Sequence, residues 1–196
     1  MPWTLEDMRA GRWEKRPCTS LHGRTLGVIG VGNTGKAVVR RAAGFGMHLL
    51  GNDLVEMPGS FLRETGIRMV DKETLLAESD YVSTNCTLNE TSYRIIDRHA
   101  LSLMNPGAVL INCARGPLVH EEELINALRE DRIAGAALDV FEEEPLRPDS
   151  PLRRMDNVLL SPHNANSSPE HWQRIHQRTV EQLIEELERT GGENNR

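Results

Sequence analysis

The sequence predicts an α/β fold with a doubly wound parallel sheet and helices on both faces. Three observations predict it. Short apolar runs alternate with helical patterns along most of the chain, which requires right-handed crossovers between parallel strands. One of these runs, Leu26-Gly27-Val28-Ile29, leads into Gly30-Val31-Gly32-Asn33-Thr34-Gly35, and a helical stretch follows from about Lys36 to Ala43. Polar residues then stand just past the ends of the late apolar runs, where open α/β sheets bind ligands.

The glycine turn sets the reading. Gly30 allows a tight turn off the strand, Gly32 lets the backbone approach a pyrophosphate, and Gly35 lets the helix pack on the strand. The helix N-terminus adds N–H groups and a positive dipole end for phosphates. A second apolar segment, Met47 to Leu50, stops at Gly51-Asn52-Asp53. Asp53 stands near the ~20-residue distance expected of a ribose-binding acid. Together these make a Rossmann-type dinucleotide site. A carboxylate at Asp53 accepts from a ribose 2′-hydroxyl and repels a 2′-phosphate, and Leu54-Val55-Glu56 brings no Arg. NAD is therefore expected, and NADP disfavoured.

The other elements follow in order. Residues 4 to 11 read as a short helix, with Thr4 as cap and Gly11 as stop. Trp13 and the polar run to Ser20 form a connector, and Trp3 and Trp13 must be buried on this domain or on a partner. Ile67 to Val70 is a strand. Asp71 caps a helix to about Ser79, with Leu75, Leu76 and Ala77 inward. Residues 81–86 form a strand, and 97–104 a helix closed by Asn105-Pro106-Gly107. Residues 108–113 form a continuous apolar strand, hence central. His120 to Asp131 is an amphipathic helix, and strands follow at 134–140 and 157–160. A last helix starts near Pro169 and runs to about Arg189, with Trp172, Ile175, Thr179, Leu183 and Leu187 on one face, read as core packing. Residues 191–196 are a polar tail. The domain reading is a lead-in over 1–20, a nucleotide-binding domain over 21–168, and a C-terminal helix and tail over 169–196.

Composition narrows the function. At 196 residues the chain suits one well-packed domain. Its net charge of −6 gives no basic footprint for nucleic acid. No apolar run is long enough to cross a bilayer, and the start does not read as a signal peptide. Cys18, Cys86 and Cys113 read as reduced, small core residues, which suits a cytoplasmic protein. No metal site is expected.

Three polar residues suit one chemistry. Arg115 follows strand 108–113, Glu144 follows strand 134–140, and His163 follows strand 157–160. A guanidinium holds a carboxylate with two parallel bonds. An imidazole moves a hydroxyl proton near neutral pH, and a carboxylate beside it fixes the ring and favours its cation.

With these residues in view, the chain resembles the D-isomer-specific 2-hydroxyacid dehydrogenase family, which includes phosphoglycerate, glyoxylate/hydroxypyruvate and formate dehydrogenases. The resemblance runs from about Asp7 to Glu170. It rests on Arg12-Trp13, the glycine turn, Asn112-Cys113-Ala114-Arg115-Gly116, Asp139-Val140-Phe141 leading to Glu144-Pro145, and Pro162-His163-Asn164-Ala165. It implies hydride transfer between NAD and a small 2-hydroxy or 2-keto acid. Arg115 would bind the substrate's carboxylate and keto oxygen, His163 would be the acid/base, and Glu144 its partner. Asn33 and Thr34 would meet the pyrophosphate and Asp53 the ribose. Cys113, Ala114 and Asp139 would line the nicotinamide, in a set that also takes in Gly30, Gly32, Gly35, Thr87, Arg115, His163 and Ala165. It also implies a homodimer through the cofactor domain, with the segment around Trp13 in the interface. Two departures stand out. The family usually has Pro where Thr87 stands, in a loop one residue longer. The family's substrate domain is built mostly from residues ahead of the cofactor domain, and that half is expected to be missing here. Weak turnover by this chain alone is therefore expected. The alternatives are a non-catalytic NAD-binding or dimerisation module, or one half of a split enzyme.

Overall fold

A computed structural model of the chain describes residues 2–15 and 17–193. All seven strands lie parallel in one sheet: β1 (Thr25–Ile29), β2 (His48–Asn52), β3 (Arg68–Met69), β4 (Tyr81–Thr84), β5 (Val109–Asn112), β6 (Gly135–Leu138) and β7 (Val158–Leu160). Their order is β3-β2-β1-β4-β5-β6-β7. The direction of winding reverses between β1 and β4, and open sheets bind ligands at such a reversal. The expected doubly wound fold is present.

The helices are α1 (Pro2–Arg9), α2 (Asn33–Ala43), α3 (Gly59–Thr65), α4 (Lys72–Glu78), α5 (Arg98–Leu103), α6 (Glu121–Arg129) and α7 (Pro169–Glu193). Asp71 and Asp97 cap α4 and α5, accepting the Thr74 and Ala100 N–H groups. The start of α1 lies ahead of Thr4, so Thr4 is inside the helix rather than its cap. Gly11, at φ +73°, does stop the chain turning helically. Helix α3 has no counterpart in the sequence reading. It is only seven residues long and begins after Pro58 without a side-chain cap.

Two apolar clusters hold the sheet between helices. On one face Leu75, Leu101, Leu110 and Leu124 pack together beneath α4, α5 and α6. On the other, Val28, Val39, Leu49 and Phe61 join α2 and α3 to β1 and β2. Helices therefore lie on both faces, but unequally. Tyr81, Val109, Ile111, Ala137 and Leu159 alternate with buried residues of β4–β7, and each is half-buried or exposed. The 108–113 run is thus covered fully on one side only.

The C-terminal helix departs most from expectation. Every described side chain of α7 is exposed, including Trp172, Ile175, Leu183 and Leu187, which were expected to pack in the core. An apolar stripe at helical spacing reports an amphipathic helix, not what it is packed against. Residues 191–193 continue α7, and the rest of the expected tail lies outside the described residues. Trp13 is 81% exposed, so this chain does not bury it; the side chain of Trp3 lies outside the described part. The cysteines are not core residues either. Cys18, ahead of β1, is exposed; Cys113 is exposed and Cys86 half-buried, because β5 and β4 end before them. No described helix is long and apolar enough to cross a membrane.

Candidate active site

The glycine turn sits at the reversal of the sheet, and each glycine meets a different demand. Gly30 has φ +88°, where side chains are disfavoured. A Cβ on Gly35 would lie 2.1 Å from the Gly30 carbonyl oxygen, so α2 presses directly on the turn. A Cβ on Gly32 would meet nothing within 4 Å. Gly32 is the N-cap of α2, with no side-chain cap and no acidic residue in the first turn. That open space in front of a helix N-terminus fits a dinucleotide pyrophosphate. Asn33 and Thr34 supply the first turn.

Asp53 stands just past β2 and is tied to this turn. It accepts the Val31 N–H at 2.6 Å and the Val55 N–H at 2.9 Å. Arg40, on α2, donates to both oxygens of Glu64.

A cleft of about 790 Å³ opens at the carboxyl ends of the strands and continues beside α2 to Leu26 and Tyr81, at the starts of β1 and β4. Of the expected residues, Thr34, Thr87, Cys113, Ala114, Arg115, Asp139, His163 and Ala165 line it. Glu144 lies behind, lining a neighbouring cavity that His163 shares. Burial, with the Asp53 charge added, pushes the Cys86 thiol up, so it is protonated at neutral pH.

The late residues are arranged by the loops that carry them. His163 sits at φ +52°, an uncommon conformation for a residue with a side chain. Asp139 holds it there. The His163 N–H donates to the Asp139 carbonyl, and the Asn164 and Ala165 N–H groups donate to the two carboxylate oxygens, all at 2.8 Å. Burial alone would raise the Asp139 carboxyl. Bonds from the Ser161 side chain and the Asn164 and Ala165 N–H groups, with the His163 charge, outweigh it and hold the group below its ordinary value.

A depressed carboxyl contributes stability above the ordinary carboxylate pKa, and that stability is lost as pH falls through the depressed value. Asp139→Asn is therefore expected to cost about 1.5–3 kcal/mol at neutral pH, the loss of charge-assisted bonds. The gap from wild type should close in strong acid. Urea unfolding at both pH values checks this; an equal gap at both would refute it.

His163 Nδ1 lies 2.8 Å from Glu144 Oε2, and Glu144 Oε1 accepts the Phe141 N–H at 3.0 Å. Burial alone would raise Glu144. Hydrogen bonds from His163 and Phe141, and the His163 and Arg115 charges, hold it below its ordinary value. Glu144 is thus ionised at neutral pH and only accepts. His163 must donate from Nδ1, which leaves Nε2 to exchange a proton. Arg115 is exposed in the same cleft, and its Nη1 donates to the Ala114 carbonyl at 2.6 Å.

The sequence reading gave no role to Asn112, which is 1% exposed. It accepts from Thr84 Oγ1 at 2.8 Å and from the Ala114 N–H at 3.1 Å, and donates to the Arg115 carbonyl at 2.9 Å. The signal was available: an amide in an otherwise apolar strand must find partners. Gly116 adds a second tie. A Cβ there would fall 1.7 Å from the Phe141 carbonyl oxygen, so the Arg115 loop presses on the segment that leads to Glu144.

A family profile described as "D-isomer specific 2-hydroxyacid dehydrogenase, NAD binding domain" matches residues 1–165. A glyoxylate reductase from Korarchaeum cryptofilum is 43% identical over 183 residues, covering 90% of this chain and 55% of that protein. A D-3-phosphoglycerate dehydrogenase from Methanocaldococcus jannaschii is 39% identical over 173 residues, covering 87% of this chain and 33% of that one. Among solved structures, an acyclic imino acid reductase in complex with NADPH and D-Arg superposes with a TM-score of 0.87 at 31% identity, over 96% of this chain and 60% of that one. The chain spans about half the length of the curated relatives it matches.

Proposed function

Since the chain belongs to the D-isomer specific 2-hydroxyacid dehydrogenase family, as its NAD-binding domain, we propose that it serves the interconversion of a small 2-hydroxy acid and its 2-keto acid, with NAD as cofactor. The bound cofactor would supply hydride transfer. The observation that carries the reading is that His163, paired with Glu144, lines with Arg115 the same cleft as Thr34 at the start of α2. Gly30, Gly32 and Gly35, with the α2 N-terminus, would hold the pyrophosphate, and Asp53 the adenine-side ribose. Cys113, Ala114 and Asp139 would border the nicotinamide. Arg115 would bind and orient the substrate carboxylate. His163 Nε2 would take the hydroxyl proton in oxidation and return it in reduction, with Glu144 fixing the ring and stabilising its cation.

His163 and Glu144 side chains are 44% and 36% exposed. Water in so open a cleft weakens charge interactions and leaves the substrate poorly positioned. Turnover of glyoxylate or hydroxypyruvate by this chain alone is therefore expected to be slow. His163→Gln should lower it a further ~10²- to 10⁴-fold with NADH binding intact. Steady-state rates and NADH fluorescence on the same samples test this. Turnover that survives His163→Gln would remove His163 from the chemistry. NADH binding with no turnover in the wild type would favour a non-catalytic NAD-binding module, or one half of a split enzyme.

The relatives use more than one dinucleotide, since the imino acid reductase is described with NADPH. Asp53 is the support for NAD here. Asp53→Asn removes the charge while keeping an acceptor for the Val31 N–H. It is expected to weaken NADH about tenfold and to tighten NADPH, as the repulsion of a 2′-phosphate disappears. Titration of both cofactors decides; an unchanged ratio of affinities would take Asp53 out of cofactor choice. The exposed Trp13 further supports a homodimer through the lead-in segment, because an exposed Trp is costly unless a partner covers it.

A further inference from the structure

We infer that Thr84 is a positioning residue for Arg115, acting through the buried amide of Asn112. The inference rests on the proposed role of Arg115 in holding a substrate carboxylate. Thr84 and Asn112 stand directly opposite each other at the carboxyl ends of β4 and β5. Each is 1% exposed. Val82 and Leu110, the facing pair earlier on the same side, are fully buried. The two strands are therefore apolar on this side until their last row, where both turn polar. A buried hydroxyl costs stability unless it is bonded, and valine would fill the same shape without that cost.

The bonds made by this pair lead to Arg115. Thr84 Oγ1 donates to Asn112 Oδ1 at 2.8 Å, with the Ile111 carbonyl a longer alternative at 3.4 Å. That bond turns the oxygen of the amide towards β4. The same oxygen accepts the Ala114 N–H at 3.1 Å, and the amide nitrogen donates to the Arg115 carbonyl at 2.9 Å. One side chain thus brackets the peptide that links Ala114 to Arg115. The carbonyl of that peptide, on Ala114, accepts from Arg115 Nη1 at 2.6 Å. The guanidinium therefore rests on a peptide that Asn112 orients, and Thr84 orients Asn112 from the neighbouring strand. Bonds in such a chain reinforce one another away from water. Arg115 itself is exposed, and a long exposed side chain has many rotamers. A fixed resting point narrows where its fork meets a carboxylate.

The test compares wild type with Thr84→Val and Thr84→Ser. Amide hydrogen exchange is read by NMR on the free protein, and NADH and oxalate affinities by titration. Oxalate carries the carboxylate of a 2-keto acid without its reactivity. Thr84→Val is expected to speed exchange at Ala114 about tenfold, with the amides of β1 and β2 unchanged. Oxalate should bind the NADH complex about tenfold more weakly, and NADH itself as before. Thr84→Ser keeps the hydroxyl and should restore both values to within about twofold of wild type. A threonine that only supports the fold would loosen the sheet throughout and leave oxalate affinity alone. Unchanged exchange at Ala114 would overturn the inference, as would equal acceleration in β1 and β2. A wild-type oxalate affinity in Thr84→Val, or an equal loss of NADH affinity, would also overturn it. Failure of the underlying reading looks different. Oxalate binding indifferent to Arg115→Ala would remove Arg115 from substrate binding, while the exchange rates still decide whether Thr84 holds its loop.

Discussion

Gly32→Val is expected to abolish NADH binding without lowering the melting temperature. The two halves of that result have separate causes. The backbone at Gly32 is extended, at φ −71° and ψ −157°, near the edge of the β region and outside the positive-φ region reserved for glycine. A Cβ there meets no protein atom within 4 Å, so the folded chain needs no repacking. The loss of chain freedom in the unfolded state even favours the variant slightly, by about 0.4–1 kcal/mol. The same open space is where a pyrophosphate must approach the N-terminus of α2. Two added methyl groups occupy it. A weakening of at least about a hundredfold, or ~2.7 kcal/mol, is expected. NADH fluorescence titration and thermal unfolding on one sample read both quantities. Retained NADH affinity in a normally folded variant would show that the dinucleotide does not lie over this turn.

Gly35→Val, three residues on, should do the reverse and break the fold first. Its Cβ would stand 2.1 Å from the Gly30 carbonyl oxygen and 3.0 Å from the carbonyl carbon. Both are backbone atoms of a turn already fixed by the bond from the Gly30 N–H to the Asn52 carbonyl. No rotamer change relieves the clash, so α2 must lift from β1. Overpacking against backbone is expected to cost more than about 3 kcal/mol. That is a large share of the ~5–15 kcal/mol that holds a typical domain together. A fall of about 10 °C or more in melting temperature follows for a chain of this size. A variant that melts with the wild type would mean that the helix and turn are not in contact as described.

These two residues show why so much of the fold was legible in the sequence. Strand, glycine turn, helix and terminal acid are local features, and each demand on Gly30, Gly32 and Gly35 is met within a few residues. The caps Asp71 and Asp97 are local too, so α4 and α5 were placed closely. Arg115, Glu144 and His163 could be singled out as candidates because each lies three to six residues past a strand end, where the fold concentrates its ligands. What escaped depends on distant contacts. The stripe on α7 reads the same whether or not another element covers it. Cys113 looks like a strand residue until β5 is seen to stop at Asn112. Nothing between 108 and 113 tells how unevenly helices would cover β4–β7. Asn112 and Asp139 were visible as residues, but their tasks, holding the Arg115 and His163 loops, appear only when the strands stand side by side.

The hold that Asp139 has on residues 163–165 has a consequence for how such proteins diversify. On the proposed roles, the ring that moves the proton is aimed by strands β6 and β7 of its own sheet, and the turn beneath the cofactor by β1 and β2. Neither borrows its alignment from whatever surrounds the substrate's side chain. The reaction can therefore stay constant while the choice of acid drifts, since a change in recognition need not disturb the parts that carry protons and electrons. A glyoxylate reductase and a phosphoglycerate dehydrogenase, both about 40% identical to this chain, are the outcome expected of one inherited reaction module serving different acids.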